Sequence, residues 1–198
     1  MTESNIGIII LAAGASTRMG TPKQLLPYQG KSLLSHTIES AIASVCNPVI
    51  LVLGANAENI RSQISTPTIK IVENPDWHLG MSASIRCGIV SLIDNYPTLD
   101  AAVITVCDQP FLAHEIINQL VTAYHTSKKT IIACEYADTL GVPVLFSQIF
   151  FSELAGLSED VGAKKLIKTY SKDVFSIPFP SGAIDIDTPQ DYQKLQES

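Results

Sequence analysis

The sequence predicts the α/β class, built on an open, doubly wound and mostly parallel sheet. Two observations predict it. The run Ile6-Gly7-Ile8-Ile9-Ile10-Leu11-Ala12-Ala13 is continuously apolar rather than alternating, β-branched at its centre and stopped by Gly14, as a strand buried on both faces must be. Similar short apolar runs then recur between helix-like stretches. That alternation implies right-handed βαβ units, whose ligands lie beyond the carboxyl ends of the strands.

After the first strand, a helix is expected over Leu33 to Val45. The apolar run Val49 to Leu53 is the next strand, a helix follows over Ala57 to Ile64, and a strand over Ile69 to Val72. The pattern repeats with a helix over Ser82 to Ile93, a strand over Ala102 to Val106, a helix over His114 to Tyr124 and a strand over Thr130 to Ala133. The later third is less regular. It reads as helices near Gln148 to Leu154 and Gly162 to Tyr170, a strand near Val174 to Ile177, and a last helix opened by Thr188-Pro189, a cap followed by the residue best suited to a first helical turn. No internal repeat, linker or low-complexity tract interrupts this order, and residues 1–198 are expected to form a single domain.

Composition limits the partners. Hydrophobic residues at 46% and charged residues at 16% are too apolar for a disordered chain. A net charge of −6 argues against binding nucleic acid across a broad face. Cys46, Cys87, Cys107 and Cys134 form neither a C-x-x-C zinc pair nor a dense disulfide framework, so reduced thiols in a cytoplasm are expected. No apolar run is long enough to span a membrane. The first strand does not read as a secretory signal either, because Glu3 and no Lys or Arg precede it and Arg18 follows it.

The chemistry is expected in the loops. Between Glu3 and Glu39 stand Arg18, Lys23 and Lys31 without a carboxylate, an anion trap in an acidic chain. Gly14 and Gly20 let backbone N–H groups approach a phosphate there. The dinucleotide fingerprint G-x-G-x-x-G is absent after the first strand, and Gly30-Lys31-Ser32 has Leu25 where a P-loop needs glycine. Gly80-Met81-Ser82-Ala83-Ser84 lacks the second glycine of a hydrolase nucleophile elbow. Asp108 follows a strand at the carboxyl edge of the sheet, and Asp185 and Asp187 fall on the same side of an extended segment. Mg²⁺ is commonly held by one or two carboxylates plus substrate phosphates, which makes Asp108 with Asp187 a candidate pair. Each residue also has an ordinary reading as a cap: Asp108 for the helix after it, Asp187 or Thr188 before Pro189, and Ser82 and Ser84 at a helix start.

Together these segments resemble the MobA-like NTP transferases, and within them the molybdenum cofactor cytidylyltransferases (MocA-like). The resemblance is carried by Leu11-Ala12-Ala13-Gly14-Ala15-Ser16-Thr17-Arg18-Met19-Gly20, Pro22-Lys23-Gln24-Leu25-Leu26-Pro27 and Gly80-Met81-Ser82-Ala83-Ser84-Ile85. It continues through Cys107-Asp108-Gln109-Pro110, Gly141-Val142-Pro143, Asp160-Val161-Gly162-Ala163-Lys164 and Asp185-Ile186-Asp187-Thr188-Pro189-Gln190-Asp191-Tyr192. It implies a three-layer α/β/α domain with a Rossmann-like sheet of the GT-A, nucleotide-diphospho-sugar transferase type. It also implies Mg²⁺-dependent transfer of CMP from CTP to the phosphate of a molybdopterin cofactor, with release of pyrophosphate. Guanylyl-transferring relatives favour a second glycine where this chain has Ala13, which tilts the expectation toward cytosine.

Carried onto this chain, the resemblance assigns Leu11, Ala12, Ala13, Gly14, Arg18, Lys23, Gly80, Ser82 and Ser84 to the nucleotide. It gives Arg18, Lys23 and Asp108 to the chemistry and Asp108 and Asp187 to the metal, with Asp185 as the other candidate for the second ligand. Lys164 and Lys165 are candidates for an acceptor phosphate, and Trp77 for stacking on a flat ligand. The implied partners are CTP, a phosphorylated pterin and a recipient molybdoenzyme. Two alternatives stand beside it: a GTP-using or sugar- or polyol-phosphate nucleotidyltransferase of the same fold, and a non-catalytic molybdopterin carrier.

Overall fold

A computed structural model of the protein describes residues 5–158 and 162–197. Asp160 and Val161 of the sixth motif lie outside the described residues. The strands are β1 (Ile6–Ala12), β2 (Pro27–Tyr28), β3 (Lys31–Ser32), β4 (Val49–Leu53), β5 (Lys70–Glu73), β6 (Ala101–Val106), β7 (Ile131–Tyr136), β8 (Thr139–Ser147) and β9 (Val174–Pro178). The α-helices are α1 (Leu33–Ala43), α2 (Ala57–Ser62), α3 (Met81–Asn95), α4 (His114–Ser127), α5 (Phe151–Ala155), α6 (Ala163–Thr169) and α7 (Pro189–Gln196). Among the described residues no helix is long and apolar enough to cross a membrane.

Seven strands form one sheet in the order β5-β4-β1-β6-β8-β7-β9, and β2 and β3 form a separate small ribbon. β1 runs parallel to β4 on one side and to β6 on the other. The chain order thus diverges at β1, where a doubly wound sheet opens a crevice beyond its strand ends. The uninterrupted apolar run is explained by burial on both faces. Ile6, Ile8, Ile10 and Ala12 enter one core layer, while Ile9 and Leu11 enter the other, in step with the two-residue period of a strand. The first layer lies under α1 and α4, the second under α3, α5 and α6.

β8 is the strand of the main sheet that the sequence did not announce. It runs antiparallel to both β6 and β7, the one reversal in the main sheet. Its hairpin from β7 turns through Ala137 and Asp138, both left-handed at φ 47° and 57°, without the Asn-Gly or Asp-Gly signature that marks such turns. Gly141 and Pro143 further disguise it. Between the pairs Ala133 with Val144 and Cys134 with Gly141 the register jumps, so Pro143, which lacks an N–H, sits in a bulge rather than in the ladder.

A third apolar cluster joins Met19 and Leu33 to Ile186 and Leu195. It fastens the loop after β1 to the segment before α7, and it brings residues near the two ends of the chain together beyond the strand ends.

Candidate active site at the carboxyl edge of the sheet

The loop after β1 is held by two polar side chains. Ser16, left-handed at φ 54°, accepts the N–H groups of Met19 and Gly20 on its carbonyl at 3.0 and 3.1 Å. Its Oγ accepts from the backbone N–H of Lys23 at 3.1 Å. Gln24 is buried and its Nε2 donates to the carbonyls of Ala12 at 3.0 Å and Gly14 at 2.9 Å. It satisfies two carbonyls that β1 leaves behind at its end, and so fixes where Lys23 starts. Single-sequence reading missed Gln24 as a site residue, although it stands inside the Pro22-Lys23-Gln24 motif.

Lys23 reaches across the crevice. Its Nζ donates to Asp108 Oδ2 at 2.6 Å and to Asp187 Oδ1 at 2.7 Å, and Arg18 Nη2 donates to Asp187 Oδ2 at 2.7 Å. Asp108 is delivered by the end of β6 and Asp187 by the segment before α7. These two pieces are tied by the Ile186 N–H, which donates to the Asp108 carbonyl at 2.9 Å. Ile186 points into the third apolar cluster, so its neighbours Asp185 and Asp187 face the crevice, as the extended segment required.

The charges are mutually adjusted. Burial opposes the Lys23 ammonium, but the pull of Asp108 and the hydrogen bonds to Asp108 and Asp187 outweigh it and hold its pKa above the ordinary lysine value. The Lys23 hydrogen bond keeps Asp187 below the usual carboxylate value, helped by Arg18. Asp185 is pushed up, first by burial and then by repulsion from Asp187 and Asp108. The Cys107 thiol is pushed up to about 12 by burial and is inert beside the site.

The capping readings resolve individually. Thr188 caps α7, its Oγ1 accepting from the Asp191 N–H while Asp191 returns the bond, so Asp187 is free for other work. α4 begins after Ala113 without a side-chain cap, and α3 begins after Gly80 without one. Asp108, Ser82 and Ser84 therefore cap nothing.

A cavity of about 370 Å³ opens here. Leu11, Ala12, Ala13, Gly14, Arg18 and Lys23 border it from the first loop, and Trp77, Gly80 and Ser84 face them across it. Asp108, Asp185 and Asp187 border it too. Ser82 does not; it is buried in α3 away from the cavity. Gly80 opens α3 at φ 92° and ψ −168°, a conformation reserved almost wholly for glycine. A second cavity of about 450 Å³ shares Met81, Val106, Asp108 and Asp185 with the first and adds Gln109, Tyr136 and Lys164. Lys165 borders neither.

A doubly wound sheet with a cationic glycine loop over one strand end, carboxylates at the next and two cavities meeting between them defines a nucleotide-binding protein built for phosphoryl-group chemistry. The family model of the MobA-like NTP transferase domain matches residues 8–174, and the chain belongs to that family of nucleotidyltransferases. It is 28% identical over 196 residues to the nicotine blue oxidoreductase of Paenarthrobacter nicotinovorans, with 94% of each chain covered. Among solved structures, Rv0371c from Mycobacterium tuberculosis H37Rv superposes with a TM-score of 0.84 at 34% identity, covering 100% of both chains. Rv0371c has also been solved in complex with manganese, at a TM-score of 0.81 and 32% identity over 98% of this chain and 100% of that one.

Proposed function

We propose that the protein transfers CMP from CTP to the phosphate of a molybdopterin cofactor, releasing pyrophosphate. The observation that carries this reading is the pairing of Lys23 with Asp108 and Asp187 at the first cavity, next to the second cavity that Asp108 also borders. The first cavity, bordered by the cationic loop, suits the nucleotide; the second, with Lys164 and Tyr136, suits a phosphorylated ring system. An oxygen of the acceptor phosphate attacks the α-phosphorus of CTP, the bond to the bridging oxygen breaks, and pyrophosphate carries that electron pair away. Since the phosphate oxygen is the nucleophile, the protein aligns the reactants and stabilises the charge gathering on the phosphate oxygens. Arg18 and Lys23 supply positive charge to the triphosphate and the leaving pyrophosphate. Gly14 leaves room for the nucleotide against the backbone, and Gly80 and Ser84 form the opposite wall.

Asp108 and Asp187 fit a divalent ion. Their carboxylate oxygens already hold one cation, the Lys23 ammonium, between them, and an all-oxygen donor set suits Mg²⁺. Among the described residues no cluster of three or more His, Cys, Asp or Glu is placed to hold a metal. Two protein carboxylates completed by substrate phosphates and water are what Mg²⁺ usually accepts. When bound, Mg²⁺ neutralises phosphate charge and polarises the phosphoryl oxygens.

The test is pyrophosphate release from purified protein given Mg²⁺, a molybdopterin acceptor and CTP, GTP or UTP in turn. Acceptor-dependent release with CTP is expected. Release with GTP alone moves the reading to guanylyl transfer, and release with a sugar or polyol phosphate moves it to another acceptor. Binding of CTP and pterin without turnover establishes the carrier. A nicotinamide dinucleotide added instead of CTP serves as a control and is expected neither to bind nor to be consumed, since G-x-G-x-x-G is absent after the first strand.

A further inference from the structure

A single side chain ties together two of the backbone stretches that enclose the second cavity. Gln109 follows Asp108 beyond the end of β6, is 4% exposed, and borders the second cavity but not the first. Its Nε2 donates to the Val142 carbonyl at 3.1 Å and to the Gly182 carbonyl at 2.9 Å. Val142 lies in the bulge of β8, where the register with β7 jumps and the pairing with β6 has already stopped at Val144, so the ladders do not use its carbonyl. Gly182 lies in the turn Pro180–Ala183, just ahead of Asp185 and Asp187. That segment is fastened a second time by the Ile186 N–H, which donates to the Asp108 carbonyl at 2.9 Å. Carbonyls only accept, so the amide nitrogen of Gln109 must face both of them. Its Oε1 is then buried without a partner among the described residues, which costs stability. An apolar side chain of similar length would avoid that cost and would leave β8 and the turn untied. The surrounding wall has no slack to absorb a shift. A β-carbon on Gly141 would collide with the Tyr136 hydroxyl, and one on Gly182 with the rings of Phe179 and Tyr136.

We propose that Gln109 is a positioning residue for the acceptor, holding β8 and the Pro180–Ala183 turn at the separation that the second cavity requires. The inference rests on the reading that this cavity takes the phosphorylated acceptor, and it names the residue that sets the cavity's shape. The nucleotide side does not depend on the clamp, because Asp187 is held separately by Lys23 and Arg18.

The test compares the wild type with Gln109→Met and Gln109→Asn by hydrogen exchange, by calorimetric titration of CTP with Mg²⁺, and by steady-state kinetics with a molybdopterin acceptor. Methionine keeps the length and donates nothing; asparagine keeps the carboxamide but is a methylene shorter and reaches at most one carbonyl. Exchange in β8 and in residues 180–187 is expected to quicken in Gln109→Met. Its KM for the pterin is expected to rise about tenfold, with kcat and the CTP Kd within about twofold of the wild type, and Gln109→Asn to fall between. General loosening of the fold would weaken CTP as well. If Gln109→Met does not fold, Gln109→Asn reads the same split. Folded variants with wild-type exchange in both segments, or with equal losses for CTP and pterin, overturn this inference and leave the cytidylyl reading standing. A wild type that binds CTP and turns over no phosphorylated pterin overturns both.

Discussion

Lys23 Nζ lies 2.6 Å from Asp108 Oδ2 although the two residues are 85 apart in sequence. The ammonium simultaneously holds Asp187, so it acts as the counter-ion of a pair of carboxylates brought together by separate ends of the fold. Replacing Lys23 by Met is expected to leave that pair uncompensated and to lower stability by about 1–3 kcal/mol at neutral pH, with Arg18 still screening Asp187. Millimolar Mn²⁺ or Mg²⁺ is expected to restore more stability to this variant than to the wild type, because the ion takes the place that the ammonium vacates. Turnover is expected to fall about 10²–10³-fold, the usual loss when one group that stabilises transition-state charge is removed. Thermal unfolding with and without metal, beside a pyrophosphate assay, checks all three.

Gly14, which borders the first cavity, and Gly54, which packs behind its lining residues Ala13 and Trp77, separate fold from function. A β-carbon on Gly14 meets nothing within 4 Å, whereas one on Gly54 lies 2.5 Å from the Trp77 β-carbon and 2.8 Å from the Ala13 carbonyl oxygen. Gly14→Ala is expected to fold with nearly wild-type stability and to place its methyl group where the nucleotide belongs, raising the CTP Kd about tenfold or more. Gly54→Ala must push the backbone after β1 away from Trp77 and is expected to cost about 1–3 kcal/mol. Denaturant midpoints compared with CTP affinities test the contrast; equal effects on both quantities in both variants would defeat it.

The parallel half of this fold was legible because burial on both faces leaves a plain record: β1 and β4 are unbroken apolar runs, and each was read close to its observed bounds. β8 was not, since its turn uses Ala137-Asp138 and its bulge absorbs Pro143, both of which read locally as loop. The site divides in the same way. Asp108, Asp187, Arg18 and Lys23, which the structure brings together at one cavity, could be singled out in advance because charge beyond a strand end is visible in one dimension. Gln24 and Gln109 were missed because a buried carboxamide announces itself only through the carbonyls that the fold turns toward it. Gln109 Nε2 donates to the carbonyls of Val142 and Gly182, a pairing that needs β8 in place before it has any meaning.

The aspartates give the folded protein opposing responses to pH. Asp187 is held below the ordinary aspartate value of 3.8 by the Lys23 hydrogen bond. Its contribution to stability is therefore complete above 3.8 and is lost as pH falls through the lower folded value. Asp185 is raised above 3.8 by burial and by its acidic neighbours, so it costs stability increasingly as pH rises above 3.8, and in full once pH has passed the folded value. Asp187→Asn is accordingly expected to be less stable than the wild type at neutral pH, and Asp185→Asn more stable. The gain from Asp185→Asn is expected to vanish as pH falls below 3.8, and the deficit of Asp187→Asn only at lower pH still, once the folded wild-type carboxyl is itself protonated. Unfolding midpoints followed from neutral to acid pH read the two signs directly, and a destabilised Asp185→Asn would contradict the assignment.

Lys164 separates the two cavities by substrate. It borders the second cavity and not the first, while Asp108 borders both. If the acceptor phosphate enters through the second cavity, Lys164→Ala removes a positive charge that meets the acceptor alone. Its KM for the pterin is then expected to rise by about tenfold, the scale of one charge-assisted hydrogen bond to a phosphate, with the KM for CTP unchanged. Asp108→Asn, at the shared wall, is expected instead to depress kcat for every substrate pair. Raising the salt concentration should weaken acceptor binding by the wild type more steeply than by Lys164→Ala, since an exposed charge attraction is screened and an absent one is not. A rise in the CTP KM of Lys164→Ala equal to the rise for the pterin would place the nucleotide against α6 and reverse the assignment of the two cavities.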